Sequence, residues 1–243
     1  MKFYGVSVEE RKASGRYTVL RYRWPGLVEP GQFVMARAVG WPVTLDPFLA
    51  RPFSFYDHDG EVASLLFEVR GRGTALLDRA HKIEVSAPLG CGFQLGSSSG
   101  KAALLGGGVG IAPLKILGRR LTELGVPHDV FLGFADAPTA GAARDFPGAG
   151  MATMDGSLGT PGTVLDAVPN LTEYGAVYAC GPNPMLAAVK RTVGPDRLCQ
   201  LSVEERMGCG NGSCNGCAVP VRSGGYVRSC VEGPVFRAEA LAW

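Results

Sequence analysis

The run Lys101-Ala102-Ala103-Leu104-Leu105-Gly106-Gly107-Gly108-Val109-Gly110-Ile111-Ala112-Pro113 decides how this chain is read. Residues 101–105 make a short, mostly apolar strand that stops at a glycine turn, and a proline leads into a helix predicted over 114–124. Glycines between a buried strand and a helix let a nucleotide lie against bare backbone. The run satisfies Gly-x-Gly-x-x-Gly in no frame, but it does satisfy Gly-Gly-x-Gly-x-x-Pro over 107–113. Gly107, Gly108 and Gly110 are therefore candidate dinucleotide-binding residues. Close strand-to-helix packing is the plainer use of the same glycines.

Toward the C-terminus the pattern repeats. Strands are predicted at 129–134, 150–154, 176–180 and 197–203, with helices near Val164 and over 184–193. Strands alternating with helices argue a doubly wound parallel sheet. The turn Ala179-Cys180-Gly181-Pro182 closes one strand at its C-terminal end, where open α/β sheets bind ligands. Cys180 is either a residue of that site or an ordinary small buried side chain.

Toward the N-terminus, short apolar runs at 17–22, 32–36, 62–69 and 82–86 are separated by turns such as Pro25-Gly26 and Pro30-Gly31. This spacing predicts a small antiparallel β-barrel. Gly96-Ser97-Ser98-Ser99-Gly100 reads as a linker, which divides the chain into 1–96, 97–203 and a cysteine- and glycine-rich 204–243. Within the barrel segment, Arg51-Pro52-Phe53-Ser54 opens a strand, and Gly71-Arg72-Gly73-Thr74 precedes a helical stretch at 75–78. An arginine can clamp a pyrophosphate, and paired glycines before a helix expose amides to phosphate. A solvated strand face and a simple capped turn are the bland alternatives.

Cys209, Cys214, Cys217 and Cys230 give Cys-x4-Cys-x2-Cys-x12-Cys, the plant-type ligand spacing of a 2Fe–2S cluster. Iron in such a core needs soft, anionic thiolates, and the intervening glycines let the backbone fold tightly around it. A structural zinc site is the competing reading, although zinc ligands usually come as two short pairs and Cys230 has no close partner. His58, His81 and His128 show no paired ligand spacing, so a Rieske centre is not supported.

A net charge of +2 without a basic run argues against nucleic acid as a partner. The longest apolar stretch, 102–114, is broken by four glycines and a proline, so no membrane span is expected. The charged N-terminal residues do not read as a signal peptide, which predicts a cytoplasmic protein. Seven cysteines in a reducing compartment favour metal or redox roles over disulfides.

Taken in order, the Arg-Pro-Phe-Ser strand, the glycine loop, Gly-Gly-x-Gly-x-x-Pro and the Cys-Gly-Pro turn resemble the ferredoxin–NADP reductase superfamily. With the cysteines, Glu204-Glu205-Arg206-Met207-Gly208-Cys209-Gly210 and Gly233-Pro234-Val235-Phe236, nearly the whole chain resembles electron-transfer subunits of class 1B dihydroorotate dehydrogenases. The resemblance implies a β-barrel flavin domain, an α/β nicotinamide domain and a small iron–sulfur module. It implies FAD held by Arg51, Pro52, Phe53, Ser54, Leu66, Phe67, Glu68, Gly73 and Thr74, with Ser54 beside the ring. NAD(H) would meet Gly107, Gly108 and Gly110, with Cys180 near the nicotinamide and Ser54 and Cys180 as the catalytic pair.

The resemblance further implies a partner, an FMN-containing catalytic subunit that oxidises dihydroorotate, in a heterotetramer of two plus two. Phe53 stands where many relatives have tyrosine, and Glu68 where arginine is common. Two alternatives stay open at this point. One is the small flavin subunit of an NADH-dependent ferredoxin:NADP oxidoreductase or sulfide dehydrogenase, whose cluster can include an aspartate ligand where this chain has four cysteines. The other is a redox-silent zinc-binding regulatory module on a degenerate reductase fold.

Overall fold

The computed structural model describes residues 1–39, 46–95 and 100–243. Residues 96–99 of the expected linker lie outside the described residues.

The first segment is a closed antiparallel barrel of six strands. These are β1 (Phe3–Ser14), β2 (Tyr17–Arg23), β3 (Phe33–Ala38), β4 (Arg51–His58), β5 (Val62–Glu68) and β6 (Lys82–Ser86), ordered β1-β2-β5-β4-β3-β6. Closure leaves no free edge. Inward-facing Leu20, Val34, Phe55, Leu65, Ile83 and Val85 fill the interior. Helix α1 (Arg72–Leu77) follows β5.

β1 was not among the predicted strands. Its run of Glu9, Glu10, Arg11 and Lys12 hides the alternation, because most of its side chains face water while its backbone pairs with β2 and β6.

The second segment is a sheet ordered β10-β9-β8-β7-β11-β12-β15. It comprises β7 (Ala102–Gly107), β8 (His128–Phe134), β9 (Gly150–Thr153), β10 (Thr160–Pro161), β11 (Ala176–Gly181), β12 (Leu198–Val203) and β15 (Val235–Arg237). All neighbours are parallel except β15, which runs antiparallel to β12.

Alternate residues of β7 face opposite layers. Ala102 and Leu104 pack with Leu114, Leu117 and Leu121 of α2 (Ala112–Glu123). Ala103 and Leu105 pack with Leu186, Val189 and Val193 of α3 (Asn183–Val193). A strand covered on both faces reads as a continuous apolar run, which is why 101–105 showed no alternation. The helix predicted near Val164 is a short 3-10 turn, Val164–Ala167, capped at its start by Asp166 on the Thr163 N–H at 2.7 Å.

The cysteine-rich segment forms a small hairpin, β13 (Ala218–Pro220) with β14 (Tyr226–Arg228), before the chain returns as β15 to the large sheet. Phe236, Ala238 and Leu241 are buried in the same core as β12. The last forty residues are thus sewn into the α/β sheet rather than hung from it. No helix among the described residues is long and apolar enough to cross a membrane.

Candidate functional site

A cleft of about 250 Å³ opens where all three segments meet. Its barrel wall is Pro52, Phe53 and Ser54 of β4 with Leu66, Phe67 and Glu68 of β5. Neighbouring strands bring these two triplets side by side, since β4 and β5 pair antiparallel. The opposite wall is Val109 and Ala112 from the turn after β7, and Ser202, Val203, Glu204 and Glu205 from the end of β12. All six of the β4 and β5 residues picked from sequence for this wall, Pro52 to Ser54 and Leu66 to Glu68, line it.

Glu68 is not an uncompensated charge. Arg70 donates to its Oε2 at 2.6 Å and Arg16 approaches Oε1 at 3.2 Å. Arg70 also lines the cleft, so a cation stands at this wall although position 68 is acidic.

Arg51 sits just outside the cleft with its guanidinium over Gly73, where any Cβ would collide with it. The stretch 71–74 is the first turn of α1 rather than a loop ahead of it, with Gly71 as the N-cap. Thr74 explains the early start: its hydroxyl accepts from the N–H groups of Arg70 and Gly71 at 3.0 and 3.1 Å. Arg51, Gly73 and Thr74 are thereby brought together.

Gly107 and Gly110 are packed, whereas Gly108 is open. A Cβ on Gly107 would fall 2.5 Å from Met185 Sδ, and one on Gly110 2.5 Å from the Cys180 carbonyl oxygen. A Cβ added at Gly108, φ +55°, would meet nothing within 4 Å. The conformation and the empty space both suit a group lying against the backbone there.

Cys180 lies behind the cleft, 1% exposed, and pairs in register with Ser202. Burial pushes its thiol up, the Glu204 charge adds to this, and the Ser202 hydrogen bond opposes it. It is therefore a neutral thiol and not a nucleophile.

Sequence reasoning missed Arg70 and Glu204 as cleft residues. Glu204 is exposed in the cleft; desolvation raises its carboxyl, with Arg70 pulling the other way. A signal was present, because Glu204 opens the run that ends in Cys209, but nothing local says that it faces β5.

The four cysteines lie beside this cleft. Cys217 and Cys230 are buried against Phe33, Met35 and Ala50, with Met207 packed on the same cluster. Phe33 and Met207 also line the cleft, so they belong both to its wall and to the apolar cluster that buries the inner cysteines. Cys214 is exposed and Cys209 half-buried. The Cys214 N–H donates to Cys209 Sγ, and the Gly216 N–H to Cys214 Sγ, each at 3.4 Å.

Desolvation pushes the Cys209 thiol up, but the N–H groups of Asn211, Cys214 and Ser213 aimed at it prevail and hold it down to about 6. Cys230 is pushed up to about 12 by desolvation and by the adjoining Cys217 sulfur. Among the described residues no three metal-ligating side chains converge on one ion. Two thiol pairs, one outer and one inner, fit a binuclear core with two thiolates per iron better than one tetrahedral ion.

Of the remaining cysteines, Cys199 is buried in the α/β core. Cys91 is exposed, and its backbone joins the segment after Cys230 through the Gly233 carbonyl at 2.5 Å.

Residues 204–242 match the family model described as the iron–sulfur cluster binding domain of dihydroorotate dehydrogenase B. Among solved structures, a chain of the NADH-dependent reduced ferredoxin–NADP oxidoreductase superposes with a TM-score of 0.84 at 25% identity, covering 98% of this chain and 90% of that one. Phthalate dioxygenase reductase shares the fold at a TM-score of 0.64 and 14% identity, covering 98% of this chain and 77% of that one.

The electron transfer subunit of NAD(+)-dependent dihydroorotate dehydrogenase B from Bacillus caldolyticus is 40% identical over 86% of this chain and 85% of its own length. Its counterpart from Caldanaerobacter subterraneus is 36% identical over 96% of both. Likeness of this degree over nearly the full length is decisive: the chain belongs to the family of dihydroorotate dehydrogenase B electron transfer subunits.

Proposed function

We propose that this subunit passes electrons between NAD(H) and the FMN of a dihydroorotate dehydrogenase catalytic subunit, by way of FAD in the cleft and a 2Fe–2S cluster on Cys209, Cys214, Cys217 and Cys230. The observation that carries this reading is the shared wall. Phe33 and Met207 face the cleft on one side and the apolar bed of Cys217 and Cys230 on the other. Electrons leaving the cleft would reach the cysteines through this shared wall.

The chain's own residues fit these groups. The apolar walls of Phe53, Leu66 and Phe67 suit a planar ring, and Ser54 supplies a hydroxyl beside it. Arg51, Gly73 and Thr74 form a place for a pyrophosphate, with the guanidinium fixed over bare backbone. A flavin bound there would convert two-electron hydride chemistry into single electrons, which a cluster carries one at a time.

The nicotinamide would enter over Gly108 and stop against β11, where buried Cys180 shapes the floor without reacting. Glu204 and Arg70 put opposite charges on the lining of the cleft. Cys214 is the exposed ligand, so the partner would dock on that side. The assembly would be two plus two in the cytoplasm, with dihydroorotate oxidised in the partner.

The protein should purify with FAD and about two irons and two sulfides per chain, and NADH should bleach its flavin absorbance. Arg51→Ala should weaken FAD binding about 10- to 100-fold in a fluorescence titration, since a charge-assisted phosphate contact is worth about 1.5–3 kcal/mol. Stoichiometric zinc without sulfide, or a flavin that NADH leaves oxidised, would overturn the reading.

A further inference from the structure

Cys230 lies inside a tight turn flanked by opposite charges. Arg228, the last residue of β14, stands two residues before it and Glu232 two residues after. The Arg228 carbonyl accepts from the Val231 and Glu232 N–H groups at 3.0 and 2.9 Å, which closes the turn around the cysteine. The Arg228 N–H in return donates to Glu232 Oε2 at 2.7 Å.

The side chains repeat this closure. Arg228 Nε donates to Glu232 Oε2 at 3.2 Å and Nη2 donates to Oε1, a two-point grip that fixes the plane of the guanidinium. The remaining nitrogen, Nη1, donates to the Gly212 carbonyl at 3.4 Å, in the loop between Cys209 and Cys214. A Cβ on Gly212 would fall 3.0 Å from Nη1, so the guanidinium lies against bare backbone. The Gly212 N–H faces the Cys230 sulfur and favours its thiolate. Gly212 is thus held between the arginine, which bonds its carbonyl, and the inner cysteine, which its amide serves.

The arginine is the member of the pair that bonds the loop, and Glu232 meets the loop through it. Arg228 is also the one cationic side chain hydrogen-bonded to 208–217 among the described residues. Glu232 holds the guanidinium charged, and the Cys230 and Cys217 sulfurs favour that charge as well. Both side chains are partly exposed, so water screens some of their field without cancelling it.

We infer that Arg228 raises the reduction potential of the cluster held by the four cysteines, and that Glu232 moderates it. Each electron that enters makes a four-thiolate cluster more negative, and iron–sulfur potentials follow the charge and hydrogen bonds around them. A cation locked on the loop stabilises the reduced cluster more than the oxidised one. A flavin in the cleft then gives up one electron, and the cluster gains it, more readily. The inference rests on the reading of the cysteines as 2Fe–2S ligands, and adds the pair that sets how strongly the cluster takes its electron.

The test is a dye-mediated potentiometric titration of the purified protein, loaded with FAD and iron, that follows the EPR signal of the reduced cluster. Arg228→Gln should make one-electron reduction about tenfold less favourable, a fall in midpoint of about 59 mV. Glu232→Gln, which keeps an acceptor for the arginine, should move the midpoint up. Arg228→Lys, which keeps the charge without the fork, should stay within about threefold of wild type. Opposite signs at the two positions separate charge from structure, because a clip that merely holds the turn would be weakened by either change.

If both glutamine variants shift the midpoint the same way, or neither shifts it while iron and sulfide stay at the wild-type level, Arg228 does not set the potential and the cluster reading stands. Loss of iron from Arg228→Gln and Arg228→Lys alike would make the arginine a structural clip and overturn the inference. If wild type carries zinc and gives no EPR signal on reduction, the cluster reading itself fails, and the inference with it.

Discussion

In the turn after β7 a Cβ on Gly110 would lie 2.5 Å from the Cys180 carbonyl oxygen and 2.7 Å from the Gly181 Cα. In the cysteine loop a Cβ on Gly208 or Gly216 would come no nearer than 3.5 Å to Cys214 Sγ. Both stretches are glycine-rich and each holds both kinds of glycine: Gly108 is open, while a Cβ on Gly210 would fall 2.6 Å from Met35 Cγ and one on Gly212 2.8 Å from Val231 Cγ2. At Gly110 two backbones touch, and no side chain can be admitted without moving the turn away from the end of β11. At Gly208 and Gly216 the missing side chain leaves room around an exposed sulfur, and an extra methyl meets ordinary contact distances. A glycine motif therefore reports either a packing constraint or a ligand's space, and only the neighbours across the fold say which.

The contrast can be broken from either side. Cys214→Ser should have the largest effect, because a hard oxygen replaces a soft thiolate. Most of the iron should be lost, and NADH-linked turnover of the assembled complex with it, while FAD content stays normal. Parallel loss of FAD would show that cleft and loop fold as one unit rather than two adjoining ones. Gly110→Ala should come next, destabilising the protein by about 2–3 kcal/mol through overpacking, read as a fall in thermal midpoint with the iron retained. An unchanged midpoint would mean that the turn can shift and that Gly110 serves something other than packing. Gly216→Ala should be the mildest, within about 0.5 kcal/mol and with iron content unchanged. Loss of iron in that variant would place a tighter demand on the loop than its distances show.

Much of this architecture was legible because it is written locally. Residues 101–113 carry strand, turn and helix in one contiguous run, and the cysteine spacing marks candidate ligands without reference to anything else. The β4 and β5 triplets were legible through resemblance, and the structure sets them on one wall. Other elements were hidden for identifiable reasons. The charged side chains of β1 face water, so its pairing with β2 and β6 left no apolar trace. β15 is three residues long, too short for periodicity to register. α1 starts earlier than its composition suggests because the Thr74 hydroxyl reaches back to the amides of Arg70 and Gly71.

By itself, then, the sequence determined the three kinds of structure in this protein and the side chains able to hold iron, since hydrophobic period, turn chemistry and thiolate spacing act over a few residues. Tertiary structure decided which of those parts face one another. It brought Glu204 and Arg70 into one cleft from segments 134 residues apart in numbering. It buried Cys180 as a neutral thiol, and left Gly108 as the open glycine of a turn in which Gly107 and Gly110 are packed. It also set Phe33 and Met207 between the cleft and the inner cysteines. Those outcomes depend on which faces are buried against which, and burial is a property of surfaces that distant stretches of chain create only when they meet.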